Sequence, residues 1–285
     1  MMANGAVAIQ CTKVTATAVT VHSRTVPAEV PVALVYDGST HAVMMASPSD
    51  LEDFAVGFSL SEGIVANASE IASLDVVHQD KGIELRLWLT PDRGRNLAER
   101  RRRIAGPTGC GLCGVESLDA AVPASPRVDA GLFVRPEEIA AALAALPAAQ
   151  ALNQRTRAVH GAAFWTKARG LVALSEDVGR HNALDKLIGR LRRQHVEAGE
   201  GMVLVTSRVS VEMVQKAAVA GAPILVAVSA PTALALETAE QAGITLVAVA
   251  RADGFEVFTH PHRIAGVAAA PSLNHETNVE IEHAA

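Results

Sequence analysis

The 285-residue chain predicts an α/β protein, and three features carry that expectation. From about Val134 onward, short runs of Val, Ile and Leu alternate with helix-length segments, the rhythm of strands joined by single helices. Hydrophobic residues make up 49% of the chain but aromatic residues only 3%, so the core has to be built from Ala, Val, Leu and Ile. Such a core suits helices packed on a sheet better than an aromatic-rich β-sandwich. Ahead of the alternating region, the chain up to about Thr90 reads as a smaller α+β unit.

The first twenty or so residues mix Thr, Ala and Val without turn chemistry and read as a loosely held tail. Between Ser23 and Met45 the pattern suits strands: Val30 to Tyr36, a turn at Asp37-Gly38, then His41 to Met45. A helix is expected to start at Ser49, with Asp50, Glu52 and Asp53 favouring the positive end of its dipole. Its apolar residues Leu51, Phe54, Ala55, Phe58 and Leu60 recur near helical spacing, and Glu62-Gly63 ends it. Ile71 to Val77 and Gly82 to Leu89 alternate like two further strands. Residues 91–131 break the rhythm with Arg100 to Arg103, a cysteine motif and Pro123-Ala124-Ser125-Pro126. A connection this long is either functional or disordered, and the cysteines favour the first.

Pro136 to Leu146 reads as a helix with proline in its first turn. Val159 to Phe164 and Gly170 to Leu174 suit strands, followed by a helix from Asn182 to Gln194. Met202 to Thr206 is a buried strand, Ser210 to Ala220 a helix, Pro223 to Ser229 a strand and Thr232 to Ala242 a helix. Ile244 to Ala250 and Phe255 to His260 complete the set, and the chain after Ile264 reads as poorly ordered. Strands joined by helices predict a mostly parallel sheet covered on both faces. Ligands are then expected at the carboxyl ends of its strands, in the loops Glu176 to Asn182, Ser207 to Ser210 and Ser229 to Thr232.

A net charge of -5 argues against bulk attraction to nucleic acid. No run of about 18 uncharged apolar residues suggests a membrane span. Met1 to Gln10 lacks the basic and apolar regions of a secretory signal. Three cysteines do not make a disulfide framework. The expectation is a cytoplasmic protein with reduced thiols.

Chemistry concentrates in four places. Cys110 and Cys113 sit three residues apart among Gly109, Gly111 and Gly114, and glycine is a poor helix starter, so a mobile loop is expected rather than a thioredoxin-type helix start. A structural zinc needs four ligands, and no second Cys/His pair lies nearby at ribbon spacing, although a homodimer would supply two more. A loop-borne nucleophile or carrier, a metal site and a redox couple all stay open. Arg100 to Arg103 would hold a nearby thiolate in its anionic form, dock an acidic partner, or simply form a solvated helix face.

His160 and the run Thr206-Ser207-Arg208-Val209-Ser210 form the second place. Zinc deaminases keep H-x-E and P-C-x-x-C at comparable positions. Here Ala162 stands where the glutamate would be, and Ser207 and Ser210 replace cysteines, so zinc deamination is not expected. A helix start carrying Ser207, Arg208 and Ser210 suits an anion instead. Third, Glu176 to Lys186 places Gly179, Arg180, His181 and Asn182 at a strand-to-helix junction, where they offer donors to an anionic or heterocyclic ligand. The plainer alternative there is a capped helix with a surface ion pair at Asp185. Fourth, Phe258-Thr259-His260-Pro261-His262-Arg263 is either a strand end with surface histidines or part of the same pocket rim.

Taken together these stretches resemble the formate dehydrogenase accessory sulfurtransferase family, FdhD. The resemblance rests on Gly57-Phe58 with Glu62-Gly63-Ile64, Thr108 to Gly114, Val159 to Ala162, Glu176 to Lys186, Thr206 to Val214 and Thr259-His260-Pro261. It spans about residues 25 to 265. It implies a cytidine-deaminase-like three-layer α/β domain over 131–267, preceded by an α+β domain over 22–130 that carries the CxxC loop, assembled as a homodimer. It also implies a sulfur carrier that takes sulfur from a cysteine desulfurase as a cysteine persulfide. That sulfur would pass to the bis-molybdopterin guanine dinucleotide molybdenum cofactor before insertion into formate dehydrogenase. Cys110 is then the expected persulfide carrier and Cys113 its partner, with Phe258 to Arg263 as the cofactor segment. The loops Gly179 to Asn182 and Ser207 to Ser210 are the expected guanine dinucleotide pocket. The alternative is a cofactor-binding chaperone in which the cysteines are secondary.

Overall fold

The computed structural model describes residues 5–95, 97 and 125–268. Its first element corrects the expected tail: β1 (Ala6–Val14) and β2 (Val19–Pro27) form an antiparallel hairpin. The turn between them uses no glycine. Thr15 N bonds Ala18 O at 2.9 Å, and Thr15 Oγ1 accepts from Ala18 N at 3.0 Å. Both faces of the hairpin are largely in solvent, so no buried stripe marks it in the sequence.

A four-stranded sheet follows, in the order β4-β3-β6-β5, from β3 (Val30–Tyr36), β4 (Ser39–Ala46), β5 (Ile71–Gln79) and β6 (Gly82–Leu89). The strands were expected; the parallel pairing of β3 with β6 inside an otherwise antiparallel sheet was not. Between β4 and β5 lies α1 (Leu51–Ser61), capped by Asp50 rather than Ser49. This helix is buried nearly all round because it lies between the four-stranded sheet and a second helix layer.

The second sheet has six strands in the order β12-β11-β10-β9-β7-β8. They are β7 (His160–Thr166), β8 (Gly170–Asp177), β9 (Met202–Val205), β10 (Ile224–Ala227), β11 (Thr245–Arg251) and β12 (Gly254–Val257). Only β9, β10 and β11 run parallel to one another, so the expected mostly parallel sheet is a mixed one. Tight turns explain the difference: β7–β8 and β11–β12 are hairpins, and β7 is antiparallel to β9. The helices are α2 (Pro136–Ala149), α3 (Ala151–Thr156), α4 (Arg180–Arg193), α5 (Val211–Ala220) and α6 (Ala233–Ala242). Periodicity did not pick out α3, whose single turn and a half is too short to show a stripe.

Alternate strand residues divide the core. Met202, Leu204, Ile224, Val226 and Val247 face α2, with Ile139, Ala142 and Leu146. Val203, Val205, Leu225, Leu246 and Ala248 face α4, α5 and α6. On that second side the core continues without a break through α1 to Leu34, Leu85 and Leu87 of the four-stranded sheet. The join is a close crossing of α1 and α4. A Cβ on Gly57 would lie 1.7 Å from the Asp185 carbonyl oxygen, and one on Gly189 would lie 1.8 Å from that of Asp53.

Candidate functional site

The loops predicted to carry ligands do meet. Strand direction brings the end of β8, the start of β7 and the ends of β9 and β10 to one edge of the six-stranded sheet. Thr206 and Gly161 pair there, through Thr206 N to Gly161 O at 3.0 Å and Gly161 N to Thr206 Oγ1 at 2.9 Å. Val209 N bonds Ala230 O, and Thr232 N bonds Val209 O, which joins the loops after β9 and β10. His160, Gly179 to Asn182 and Ser207 to Ser210 therefore share one edge, with the N-termini of α4 and α5 opening onto it. Gly179 precedes α4 and Ser210 caps α5.

Within this edge Arg180 and His181 are half-buried. Arg180 Nε and His181 Nε2 are both shielded from solvent and have no hydrogen-bond partner among the described residues. Burial pushes the His181 imidazole down to about 4, with the Arg180 and Lys216 charges acting the same way and Glu212 and Glu62 against them. His160 is also held below its ordinary value, first by burial and then by Arg180. Both rings are thus neutral at pH 7. Glu212 lies with Oε2 3.9 Å from His181 Nε2. Burial would raise its carboxyl, but the Ser210 hydroxyl, its own N–H, the Arg180 charge and, once protonated, His181 outweigh that and hold it low. Arg208 is exposed, while Ser207 is buried and turns its hydroxyl onto the Arg208 carbonyl at 2.9 Å.

Two residues of this junction serve other ends than the expected ones. Asn182 is only 3% exposed, and its amide N–H groups go to Met45 O at 2.9 Å and Asp177 Oδ1 at 3.0 Å, so it braces the turn instead of offering donors to a ligand. Asp185 makes no surface ion pair. It is buried against Lys216 Nζ at 2.9 Å and accepts the Ser61 hydroxyl at 2.6 Å. Lys216 also reaches Glu62 Oε1 at 3.1 Å. Burial works against its ammonium, but Asp185 and Glu62 outweigh that and hold it above its ordinary value. Sequence reasoning missed Lys216, Glu212 and Glu62 as neighbours of His181; the available signal was a lysine set among Met213, Val214, Ala217 and Ala218.

The segment Phe258 to Arg263 lies elsewhere. Because β12 returns antiparallel to β11, the segment sits at the amino end of β11, on the opposite edge of the sheet. Phe258 N bonds Leu246 O, and Thr259 Oγ1 donates to Ile244 O at 2.7 Å. Arg263 is buried, with its guanidinium on Gly243 O at 2.8 Å and Val128 O at 3.3 Å. His260 Nε2 donates to Glu240 O at 2.9 Å. Phe258 and His262 are exposed, and Pro261 opens a short 3-10 turn. The two expected cofactor segments are thus not neighbours within one chain.

Cys110, Cys113 and Arg100 to Arg103 lie outside the described residues. Cys11 stands across the hairpin from His22, with Sγ 3.5 Å from Nε2. Among the described residues, no group of three His, Cys, Asp or Glu could hold a metal ion, and no helix is long and apolar enough to cross a membrane.

Known proteins match most of the chain. The chain is 56% identical over 242 residues to the sulfur carrier protein FdhD of Agrobacterium fabrum, covering 85% of this chain and 89% of that one. The protein of the same name from Brucella abortus is 54% identical over 243 residues, covering 85% and 90%. That of Cupriavidus necator is 52% identical over 239 residues, covering 83% and 82%. A crystal structure from Desulfotalea psychrophila, described as a formate dehydrogenase accessory protein, superposes with a TM-score of 0.73 at 25% identity, covering 91% of this chain and 99% of that one. A model of the FdhD/NarQ family matches residues 27–265, a span that takes in both sheets, the cysteine motif and the loop edge; the chain belongs to the FdhD/NarQ family.

Proposed function

We propose that this protein is a cytoplasmic sulfur carrier for formate dehydrogenase, acting as a sulfurtransferase through a persulfide on Cys110. The observation that carries the reading is its likeness, over most of its length, to proteins named sulfur carrier protein FdhD. The Cys110 thiolate attacks the terminal sulfur of a persulfide on a cysteine desulfurase. The donor's S–S bond breaks, its cysteine leaves as thiolate, and a new S–S bond forms on Cys110. Cys113 then attacks the inner sulfur of Cys110. This releases the carried sulfur as sulfide to the molybdenum of the bis-molybdopterin guanine dinucleotide substrate and leaves a Cys110–Cys113 disulfide. A cellular thiol reduces that disulfide for the next cycle.

The loop edge supports the cofactor half of this reading. Phosphates and the guanine edge need donors in a shielded site, and Arg180 and His181 present unspent nitrogens beside two helix N-termini. With its imidazole neutral at pH 7, His181 can donate or accept without adding charge. Phe258 to Arg263 forms the second part of the cofactor site, brought to the first by a homodimer partner. The deaminase likeness of this α/β region is supported by His160 standing beside the loop that holds Ser207 and Ser210.

Mass spectrometry after incubation with a cysteine desulfurase and cysteine tests the reading. The wild-type chain should gain one sulfur, and Cys110→Ala should gain none. If both single cysteine variants load sulfur and restore formate dehydrogenase, the carrier mechanism is wrong and the chaperone alternative stands.

A further inference from the structure

A buried charge pair lies directly behind the turn that presents Arg180 and His181. Asp177 and Lys186 are both fully buried, and Lys186 Nζ donates to Asp177 Oδ2 at 2.6 Å. Such a pair is tolerated only when the remaining lone pairs and protons find partners, and an apolar replacement of similar shape often serves stability as well. Here the partners are nearly complete. Asp177 Oδ2 also accepts from Ser47 N at 2.9 Å, and Oδ1 accepts from Gly179 N at 2.8 Å and Asn182 Nδ2 at 3.0 Å. Lys186 makes a second bond, to Ser47 O at 2.9 Å. Val178 N donates to Ser47 Oγ at 3.2 Å. A Cβ on Gly179 would lie 2.9 Å from Asn182 Nδ2, so any larger residue there would press on the amide that completes the brace.

The carboxylate does what no apolar residue can: it holds the Gly179 N–H and the Asn182 amide at once, on either side of Arg180 and His181. Ser47, at the end of β4, ties the same turn to the four-stranded sheet. We infer that Asp177, neutralised by Lys186, is a positioning residue that fixes the 178–182 turn so that Arg180 and His181 meet a nucleoside diphosphate in one geometry. This rests on the reading of the loop edge as the guanine nucleotide end of the cofactor site.

GDP is the probe, with affinity measured by titration calorimetry and folding by thermal unfolding. Wild type should bind. Asp177→Asn keeps the shape and removes the charge, and should weaken GDP by about tenfold or more at a temperature where it is folded. Ser47→Ala removes only the Val178 acceptor and should weaken it by about threefold. Ile139→Ala, fully buried on the far face of the sheet, should lower the melting temperature while leaving affinity within about twofold. A folded Asp177→Asn with wild-type affinity overturns the inference. If that variant does not fold, Ser47→Ala decides in its place. Affinity that falls equally in Ile139→Ala also overturns it, since the effect is then only loss of stability. If wild-type protein fails to bind GDP, the reading of the edge falls and this inference falls with it, a result distinct from unequal or equal binding among the variants.

Discussion

Gly57→Ala strikes the join between the two sheets with a single methyl group. The added Cβ would stand 1.7 Å from the Asp185 carbonyl oxygen and 2.8 Å from Gly189 N, where contacts under 3.0 Å are essentially never seen. The obstacle is the backbone of α4, which cannot rotate away as a side chain would, so α1 and α4 have to part by more than about 1 Å. Parting them also pulls on the Ser61–Asp185 hydrogen bond at 2.6 Å and the Arg190–Asp53 ion pair at 2.9 Å. Overpacking alone costs about 1–3 kcal/mol, and with these polar contacts stretched the expected loss is ~3 kcal/mol or more. For a chain of this size that lowers the melting temperature by roughly 6–12 °C. Calorimetric melting should show the drop, with Gly131→Ala as control, because that position has open space around it and no left-handed backbone. Gly189→Ala should behave like Gly57→Ala. The double variant should cost less than the two singles together by about 1 kcal/mol, since the gap opened for one methyl also admits the other. A Gly57→Ala protein melting within about 2 °C of wild type would refute the packing argument. So would strict additivity of the pair.

Further outcomes follow from the same contacts. Lys216→Met leaves the Asp185 carboxylate buried without its cation and should cost about 3–5 kcal/mol in urea unfolding, and Asp185→Asn added to it should restore most of that. His181 has a folded-state value of about 4 against an ordinary 6.5, so between those values the unfolded chain binds a proton that the folded one does not. Stability should therefore rise as pH climbs through that window and be fully present above it. With allowance for a partly exposed ring, His181→Gln should flatten the difference between pH 4 and pH 7 by about 1–2 kcal/mol. Deleting the chain up to residue 25 removes a hairpin whose Val14, Val19 and Val21 are 71%, 70% and 72% exposed, and should move the melting temperature by less than about 3 °C. An unfolded truncation would show that the hairpin belongs to the core.

What could be read from residues alone was whatever burial imprints on local order. Met202 to Val205 and Ile224 to Ala227 are buried on both faces and read as unbroken apolar runs, so their place in a covered sheet was plain. The hairpin at Ala6 to Pro27 is buried on neither face and left no such mark. Strand direction leaves none either, because a period of two is the same whichever way a strand runs; hence the sequence alone reads β7, β8 and β12 into a mostly parallel sheet, and leaves Phe258 to Arg263 free to join an edge it does not reach. The junction at Glu176 to Asn182 stood out through its density of polar groups, but density cannot tell a residue that meets a ligand from one that holds the loop. That division is made by partners far along the chain. Asn182 is spent on Met45, 137 residues away, and Asp177 on Ser47, 130 residues away. Lysine is almost never fully buried unless paired, and the partners that bury Lys186 and Lys216 include Ser47 and Glu62, 139 and 154 residues away. Once those donors are accounted for, Arg180 and His181 keep nitrogens that nothing in the described chain uses. The ligand-facing part of the junction is therefore what remains after the fold has taken its share, and only the topology determines that share.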